Sequence, residues 1–392
     1  MNALPIYQPI FPYAAPQRIS RAVRFGVVST HTSPPCGLAR FTAGLAGALS
    51  ADGLDAGVVW VDDGPPPFSE SEESVPSSTP SVVALKALLG QVDVAILQHE
   101  DATTGDEVVD IIDGLRVPSI VVVHTIPKEP TSHQRSTLEA IGVTADHVVV
   151  MSEAARERLY RTYAVDRQKI TTIPHGATLP SIPRVKRPSR PTILTWGLLR
   201  PGKGIERVID AMPSLSDVPG RPRYVIAGPM DPTISAAEGE AYRDARIEQA
   251  RRLGVADSVT FDPRYYDRAA LAELIQQASV VVLPYDTTEQ VTSGVLVDAF
   301  ANGRPIVATA FPHAIELLSS GSGVVVEHDD PVAMATALRQ IITQPRLAGS
   351  MAAEVRLRAP ELAWPVVAAA YVELAQRLLT ERAHERDRAL RR

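Results

Sequence analysis

The chain carries a series of short runs of Val, Ile and Leu with no polar alternation. In the first half these are Arg24–Ser29, Ala56–Val61, Val92–Gln98, Ser119–His124 and His147–Met151. In the second half they are Thr192–Trp196, Arg223–Ala227, Ser258–Phe261, Ser279–Pro284, Pro305–Thr309 and Gly323–Glu327. A strand with one wet face alternates apolar and polar residues. A strand covered on both faces reads instead as a continuous apolar run. Segments suited to helices separate the runs: Arg40–Ala51, Thr103–Leu115, Ile205–Ala211, Tyr242–Leu253, Arg268–Gln277, Gly294–Ala301 and Pro331–Thr343. Strand, crossover helix and parallel strand in repetition make a doubly wound α/β sheet.

The alternation pauses at Ala177–Pro191, a proline-rich stretch with Arg184, Lys186, Arg187 and Arg190 and no apolar period. That composition reads as a linker. Domains of about 100–200 residues are usual, so 392 residues suit two. The pattern predicts a Rossmann-like domain over residues 1–180, a second over 181–362, and a C-terminal segment 363–392. In the last, a helix runs from Trp364 towards Arg382. The tail beyond it is too charged to pack and is expected to fray. Gly64–Pro80 is acidic and rich in Pro and Ser, and reads as a surface loop.

Composition removes several function classes. Lys plus Arg number 39 against 45 Asp plus Glu, a net charge of −6 that speaks against a globally basic nucleic-acid binder. Cys36 is the single cysteine, so neither an intrachain disulfide nor a multi-cysteine zinc site can form. A reducing, cytoplasmic compartment is expected. Met1–Ala22 lacks the apolar core of a signal peptide, and no run reaches the ~18 apolar residues of a spanning helix. Peripheral membrane contact through Arg156, Arg158 and Arg161 stays open beside the weightier reading, a solvated helix face. No HExxH, paired Cys/His spacing or G-x-S-x-G elbow occurs, which argues against a metalloenzyme or serine hydrolase.

Ligands of doubly wound sheets bind beyond the carboxyl ends of the strands. The first strand leads into Thr30–Phe41, a polar loop with one glycine, Gly37, and therefore not a dinucleotide fingerprint. A plain turn and an oxygen-binding amide are equally open readings for Gly37. The third and fourth runs end in Gln98-His99-Glu100 and His124-Thr125. Lys128–Arg135, with His133 and Arg135, lines the same cleft or simply starts a helix capped by Thr131 or Ser132. In the second half, Gly197–Gly204 places Arg200 and Lys203 among glycines at the mouth of a helix. Two cations with helix amides suit a diphosphate; a basic surface turn is the plainer alternative. After Pro284 comes a polar loop with Glu289, Gln290, Thr292, Ser293, Gly294 and Val295. Small residues there let backbone amides approach phosphate oxygens. Asp298 lies one turn into the helix, placed to accept bonds from ribose hydroxyls.

Taken in order, these pieces resemble the family 4 (group 1) glycosyltransferases of GT-B fold, as a divergent subgroup. The resemblance runs from Arg24 to about Leu379. It rests on Gly202-Lys203-Gly204, Val225-Ile226-Ala227-Gly228, Ala278–Pro284, Gly294–Asp298 with Gly303-Arg304-Pro305-Ile306-Val307, Asp329-Asp330-Pro331 and Trp364. It implies two Rossmann-like domains facing a cleft, with a C-terminal helix returning to the first. It further implies a nucleotide-sugar in the second domain, a carbohydrate or small-molecule acceptor in the first, transfer with retention, and no metal or other cofactor. His124, Lys203 and Gln290 would be catalytic. Gly37, Arg200, Lys203, Glu289, Thr292, Ser293, Gly294, Val295 and Asp298 would hold the donor. His99, Glu100, His133, Arg135 and His313 would line the sugar or acceptor side.

Three positions depart from the family pattern. Its two glutamates, seven residues apart, fall on Gln290 and Asp298, with Glu289 adjacent. Its arginine falls on Leu198, with Arg200 two residues on. Its Pro-Asn-Gly turn reads Pro174-His175-Gly176. GDP-mannose and UDP-glucose are the expected donors. A nucleotide-sugar isomerase, a sugar phosphorylase and a non-catalytic nucleotide-sugar-binding protein remain as alternatives.

Overall fold

Every strand that the sequence marks as a continuous apolar run pairs in parallel with its neighbours. The computed structural model describes residues 23–29, 37–60, 85, 89–100, 105–180, 188–231, 234 and 236–391. The first sheet holds β1 (Arg24–Ser29), β2 (Asp55–Trp60), β3 (Val94–His99), β4 (Ser119–Val123), β5 (His147–Val150) and β6 (Ile170–Thr172), in the order β2-β1-β3-β4-β5-β6. The second holds β7 (Thr192–Trp196), β8 (Arg223–Ala227), β9 (Val259–Asp262), β10 (Val280–Leu283), β11 (Ile306–Thr309) and β12 (Gly323–Val326), in the order β12-β11-β10-β7-β8-β9. Both orders reverse direction once, between β1 and β3 and between β7 and β10. Those reversals open crevices at the carboxyl ends of the strands.

Burial explains the apolar runs. Every residue of β3, β4, β5, β7, β10 and β11 is buried. Edge strand β9 has no buried residue, and its run is the least apolar. The described helices of the first half are α1 (Gly37–Ala51), α2 (Gly105–Ile112), α3 (Ser132–Thr144) and α4 (Glu153–Thr162). Those of the second are α5 (Ile205–Ala211), α6 (Ala236–Arg252), α7 (Arg268–Gln277), α8 (Gly294–Ala301), α9 (Pro312–Leu318), α10 (Pro331–Thr343) and α11 (Pro345–Arg358). Thr131 is the cap of α3, in a reciprocal capping box with Gln134.

Four features differ from expectation or lie beyond it. Strand β6 is three residues long, too short and too polar to announce itself. Helices α9 and α11 were not expected. The last helix, α12 (Trp364–Leu390), continues past Arg382 instead of fraying there. Its final turns are exposed, so packing does not hold them; their Ala, Glu, Arg and Leu content favours helix by itself. The loop Gly64–Pro80, the segment Thr30–Cys36, Met1–Ala22 and the linker residues Arg184, Lys186 and Arg187 lie outside the described residues. No described helix is long and apolar enough to cross a membrane.

The chain passes between the sheets at Ala177 and again at Ala363. The two passages pair as a parallel bridge: Ala177 N–H donates to Leu362 O at 2.7 Å and Trp364 N–H to Ala177 O at 3.1 Å. Helix α12 then lies on the first sheet. Trp364, Val367, Tyr371, Leu374 and Leu378 share one apolar cluster with Phe25, Phe41 and Leu45. Trp364 fits only because two glycines face it. A Cβ on Gly44 would stand 2.3 Å from the indole, and one on Gly176 2.2 Å.

Gly44→Ala or Gly176→Ala must therefore displace Trp364, at a cost of about 1–3 kcal/mol of overpacking. Urea denaturation should show the lower midpoint for each variant. An unchanged midpoint in both would show that the indole is not clamped.

Candidate functional site

The cleft groups are carried by the carboxyl ends of β3, β4, β7 and β10. On the first sheet, β4 delivers His124. Its backbone N–H donates to His99 O at 3.0 Å, and its Nε2 lies 2.7 Å from Gln98 Oε1. With an amide oxygen as partner, Nε2 carries the proton and Nδ1 keeps its lone pair. Phe41 of α1 meets the edge of His124 at 5.0 Å and also contacts His175 and Trp364. Burial, with His175 and His99 nearby, pushes the His124 pKa down to about 3. His124 is thus a neutral hydrogen-bonding ring. Glu100 follows β3; burial raises its pKa, and Arg200 from the second sheet opposes that rise. Glu100 and Arg200 therefore feel each other across the cleft.

On the second sheet, the turn after β7 is built from glycines in the left-handed region: Gly197 (φ 120°), Gly202 (φ 88°) and Gly204 (φ 64°). Gly204 has no alternative. A Cβ there would stand 1.6 Å from Pro284 O, because the turn lies directly on the end of β10. Asp286 N–H donates to Gly202 O at 3.0 Å and fixes that contact. Lys203 Nζ then sits 4.6 Å from the centre of the Tyr285 ring, which stacks on Phe311 at 5.5 Å. Burial and the neighbouring Arg200 bring the Lys203 pKa down to about 8, while Asp231 pulls the other way. Arg200 is half exposed and stands 3.7 Å from Asp231.

The loop after β10 ends in Ser293, the N-cap of α8, whose Oγ accepts from Leu296 N–H. Ser293 N–H donates to Nδ1 of His313, a buried ring pushed to about 3. Gly294 opens the helix against His175: a Cβ there would be 3.0 Å from His175 Nε2. His175 Nδ1 is 2.8 Å from Gly176 O, and burial drops its pKa to about 4. Asp298, one turn in, is raised to about 6 by burial, with Arg40 and Arg268 opposing. Gln290 turns its amide onto Thr292 O at 3.0 Å, whereas the Glu289 carboxylate takes Lys128 N–H from the other sheet at 3.4 Å.

The structure thus gathers His99, His124, Glu100, Arg200, Lys203, Gln290, Ser293, Gly294, His313 and Asp298 about the two sets of strand ends. Gly37 begins α1, and Thr292 and Val295 flank the start of α8. His133 is exposed on the first turn of α3. Arg135 binds Thr162 O and lies over the Tyr163 ring, at the carboxyl end of α4. That is one helix length from the end of α4 that meets the second sheet. Sequence reasoning gives no cleft role to Gln98, Phe41, Tyr285, Arg40 or Glu316, and reads Arg158 as part of a solvated or membrane-facing helix face. Tyr285 had a signal, an aromatic directly after the strand-ending Pro284; the others meet the cleft only through space.

Comparison with known proteins agrees with the two-domain fold. The family described as "Glycosyltransferase Family 4" matches residues 35–179, and that described as "Glycosyl transferases group 1" matches residues 190–344. The D-inositol 3-phosphate glycosyltransferase of Rhodococcus opacus is 24% identical over 89% of this chain and 89% of that protein. The Kineococcus radiotolerans protein of the same name is 27% identical over 62% of this chain, and the match spans 59% of that protein's own length. Among solved structures, a Rickettsia africae glycosyltransferase superposes with a TM-score of 0.71 at 15% identity, covering 91% of this chain and 99% of that one. Anabaena HepE in complex with UDP-glucose gives 0.72 at 17% identity, covering 90% and 99%. The chain belongs to the group 1, family 4 glycosyltransferases of GT-B fold.

Proposed function

We infer that this chain moves a hexosyl group from a nucleoside-diphosphate sugar to an acceptor hydroxyl, with retention and without a bound metal. The observation that carries the reading is a convergence. Arg200, Lys203 and the amino end of α8 meet at the β7/β10 crevice and face neutral His124 from the other sheet. Two cations and aligned helix amides suit a diphosphate. Asp298 would accept bonds from the ribose. His124, with Nδ1 as acceptor, would orient a hydroxyl of the transferred sugar. In the reaction the anomeric C–O bond to the diphosphate breaks, and the acceptor oxygen bonds that carbon on the same face. The acceptor proton passes to the departing diphosphate, whose growing charge Lys203 and Arg200 offset.

A uridine donor is favoured, because HepE was solved with UDP-glucose and a second neighbour, TarM, with UDP. A GDP-sugar is the next to test. The named relatives act on D-inositol 3-phosphate, which makes phosphorylated polyols the first acceptors to try.

Thermal-shift screening against UDP-, GDP- and ADP-sugars should identify the donor. A sugar nucleotide at ~100 times its Kd adds roughly 2.7 kcal/mol of stability. His124→Ala, Lys203→Ala and Asp298→Ala should each lower transfer about 100-fold or more while circular dichroism stays native. Wild-type turnover in all three would sink the assignment.

The pH dependence has a definite sign. Asp298 is charged above about 6 and Lys203 below about 8. Donor binding needs both, so kcat/KM should be bell-shaped with limbs near those values. His124 contributes no limb there, being neutral down to about 3. Nitrogen-15 NMR of the His124 ring should show the Nε2–H tautomer from pH 5 to 9, within the range that roughly brackets neutral histidine chemistry. A titration near 6.5 would contradict its burial.

A further inference from the structure

The start of α4 is joined to the second domain by more than surface contact. Ser152, its N-cap, donates from Oγ to Val291 O at 2.6 Å. The Glu316 carboxylate, on α9, accepts from Glu153 N–H at 3.0 Å and from Ala154 N–H at 2.8 Å. A side chain of one domain thereby satisfies two open amides of a helix in the other. Arg158, two turns from the cap, donates through Nη1 to Ile126 O at 3.0 Å and to Glu289 O at 2.5 Å. Val291 itself is buried in the apolar cluster of the first sheet, with Ile126, Ala155 and Leu159.

The three arginines of α4 therefore have different roles. Arg156 and Arg161 pair with Glu153 and Glu157 on their own helix. Arg158 pairs with no carboxylate of its helix. It spends its guanidinium on two carbonyls, one from each domain, where a bulk-solvated arginine would gain little.

We propose that Arg158 and Glu316 are positioning residues, which clasp loop 289–293 of the donor domain to α4 and hold that loop in its working geometry. The loop is tied to both domains. Its Glu289 and Val291 carbonyls are anchored on the first domain, while His313 holds it to the second, donating its backbone N–H to Gln290 O at 3.3 Å and accepting at Nδ1 from Ser293 N–H at 2.9 Å. Shutting the cleft and ordering the donor loop are then one event. Opening the cleft pulls Val291 from its apolar seat and frees the segment that leads into Ser293 and Gly294. The catalytic consequence rests on the functional reading above; the clasp itself does not.

Hydrogen exchange and kinetics test the two parts separately. In Arg158→Ala and Glu316→Ala, amides of residues 287–296 and 152–156 should exchange roughly tenfold faster or more, with β3, β4, β10 and β11 protected as in the wild type. Glu316→Gln, which keeps an acceptor oxygen, should recover part of the protection, and it carries the test with Arg158→Ala if Glu316→Ala does not fold. The Kd for UDP or GDP, whichever the wild-type chain binds, should rise roughly tenfold in the alanine variants, and donor KM should rise more than kcat falls. Wild-type exchange over 287–296 in Arg158→Ala overturns the clasp, whatever the substrate. Faster exchange with unmoved nucleotide affinity and donor KM overturns the positioning role. A wild-type chain that binds no nucleotide overturns the functional reading instead, and the exchange rates still decide the clasp.

Discussion

Trp364, seated between Gly44 and Gly176, fixes the relation of the two sheets. The cleft is assembled from two separate sets of strand ends, so its geometry is only as good as the joint between them. At that joint the outgoing chain at Ala177 and the returning chain at Ala363 are hydrogen-bonded side by side. The indole packs on both Gly176 and α1, and its ring reaches Phe41, which in turn touches His124 and His175. A residue that anchors the returning helix is thus two ring contacts from the nearest candidate catalytic side chain. Core packing is close and poorly compressible, so small changes at the joint are felt at the cleft.

The cleft also shows how an acidic chain concentrates positive charge locally. The formal charge is −6, yet it is the local arrangement of charge that a ligand meets. Lys203 is half-buried over Tyr285, whose ring face favours the cation that burial disfavours. The imidazoles at the joint, His124, His175 and His313, are all held neutral by burial. They orient groups without adding charge, so the positive potential stays at Arg200, Lys203 and the amino end of α8.

Much of the fold was legible because burial on both faces leaves an unmistakable run. All the central strands lie within two residues of their apolar segments. The turn Gly202-Lys203-Gly204 was legible too, since only glycine tolerates both a positive φ and the approach of Pro284 O. Strand β6 was not, because three residues carry no period. Nor were the contacts of Arg158 and Glu316. One arginine in an arginine-bearing helix looks like a solvated face until the far domain is in place. Glu316 sits on a seven-residue helix whose partner amides lie more than 160 residues away. Such pairings are set by tertiary geometry, and local sequence holds no trace of them.

The exchange of glutamate for Gln290 becomes physically reasonable in this setting. Glu289 already places a carboxylate beside Lys128 N–H, and Glu100 faces Arg200 from the opposite sheet. A further carboxylate at position 290 would add negative charge beside that of Glu289. A glutamine keeps hydrogen-bonding capacity without that charge. Its amide is, moreover, committed to Thr292 O, which shapes the turn into Ser293. A glutamate could not make this bond, because an ionised carboxylate has no proton to donate to a carbonyl. The substitution thus exchanges a charged ligand contact for a loop constraint. That constraint matters most in a loop whose carbonyls at Glu289 and Val291 are held by the other domain.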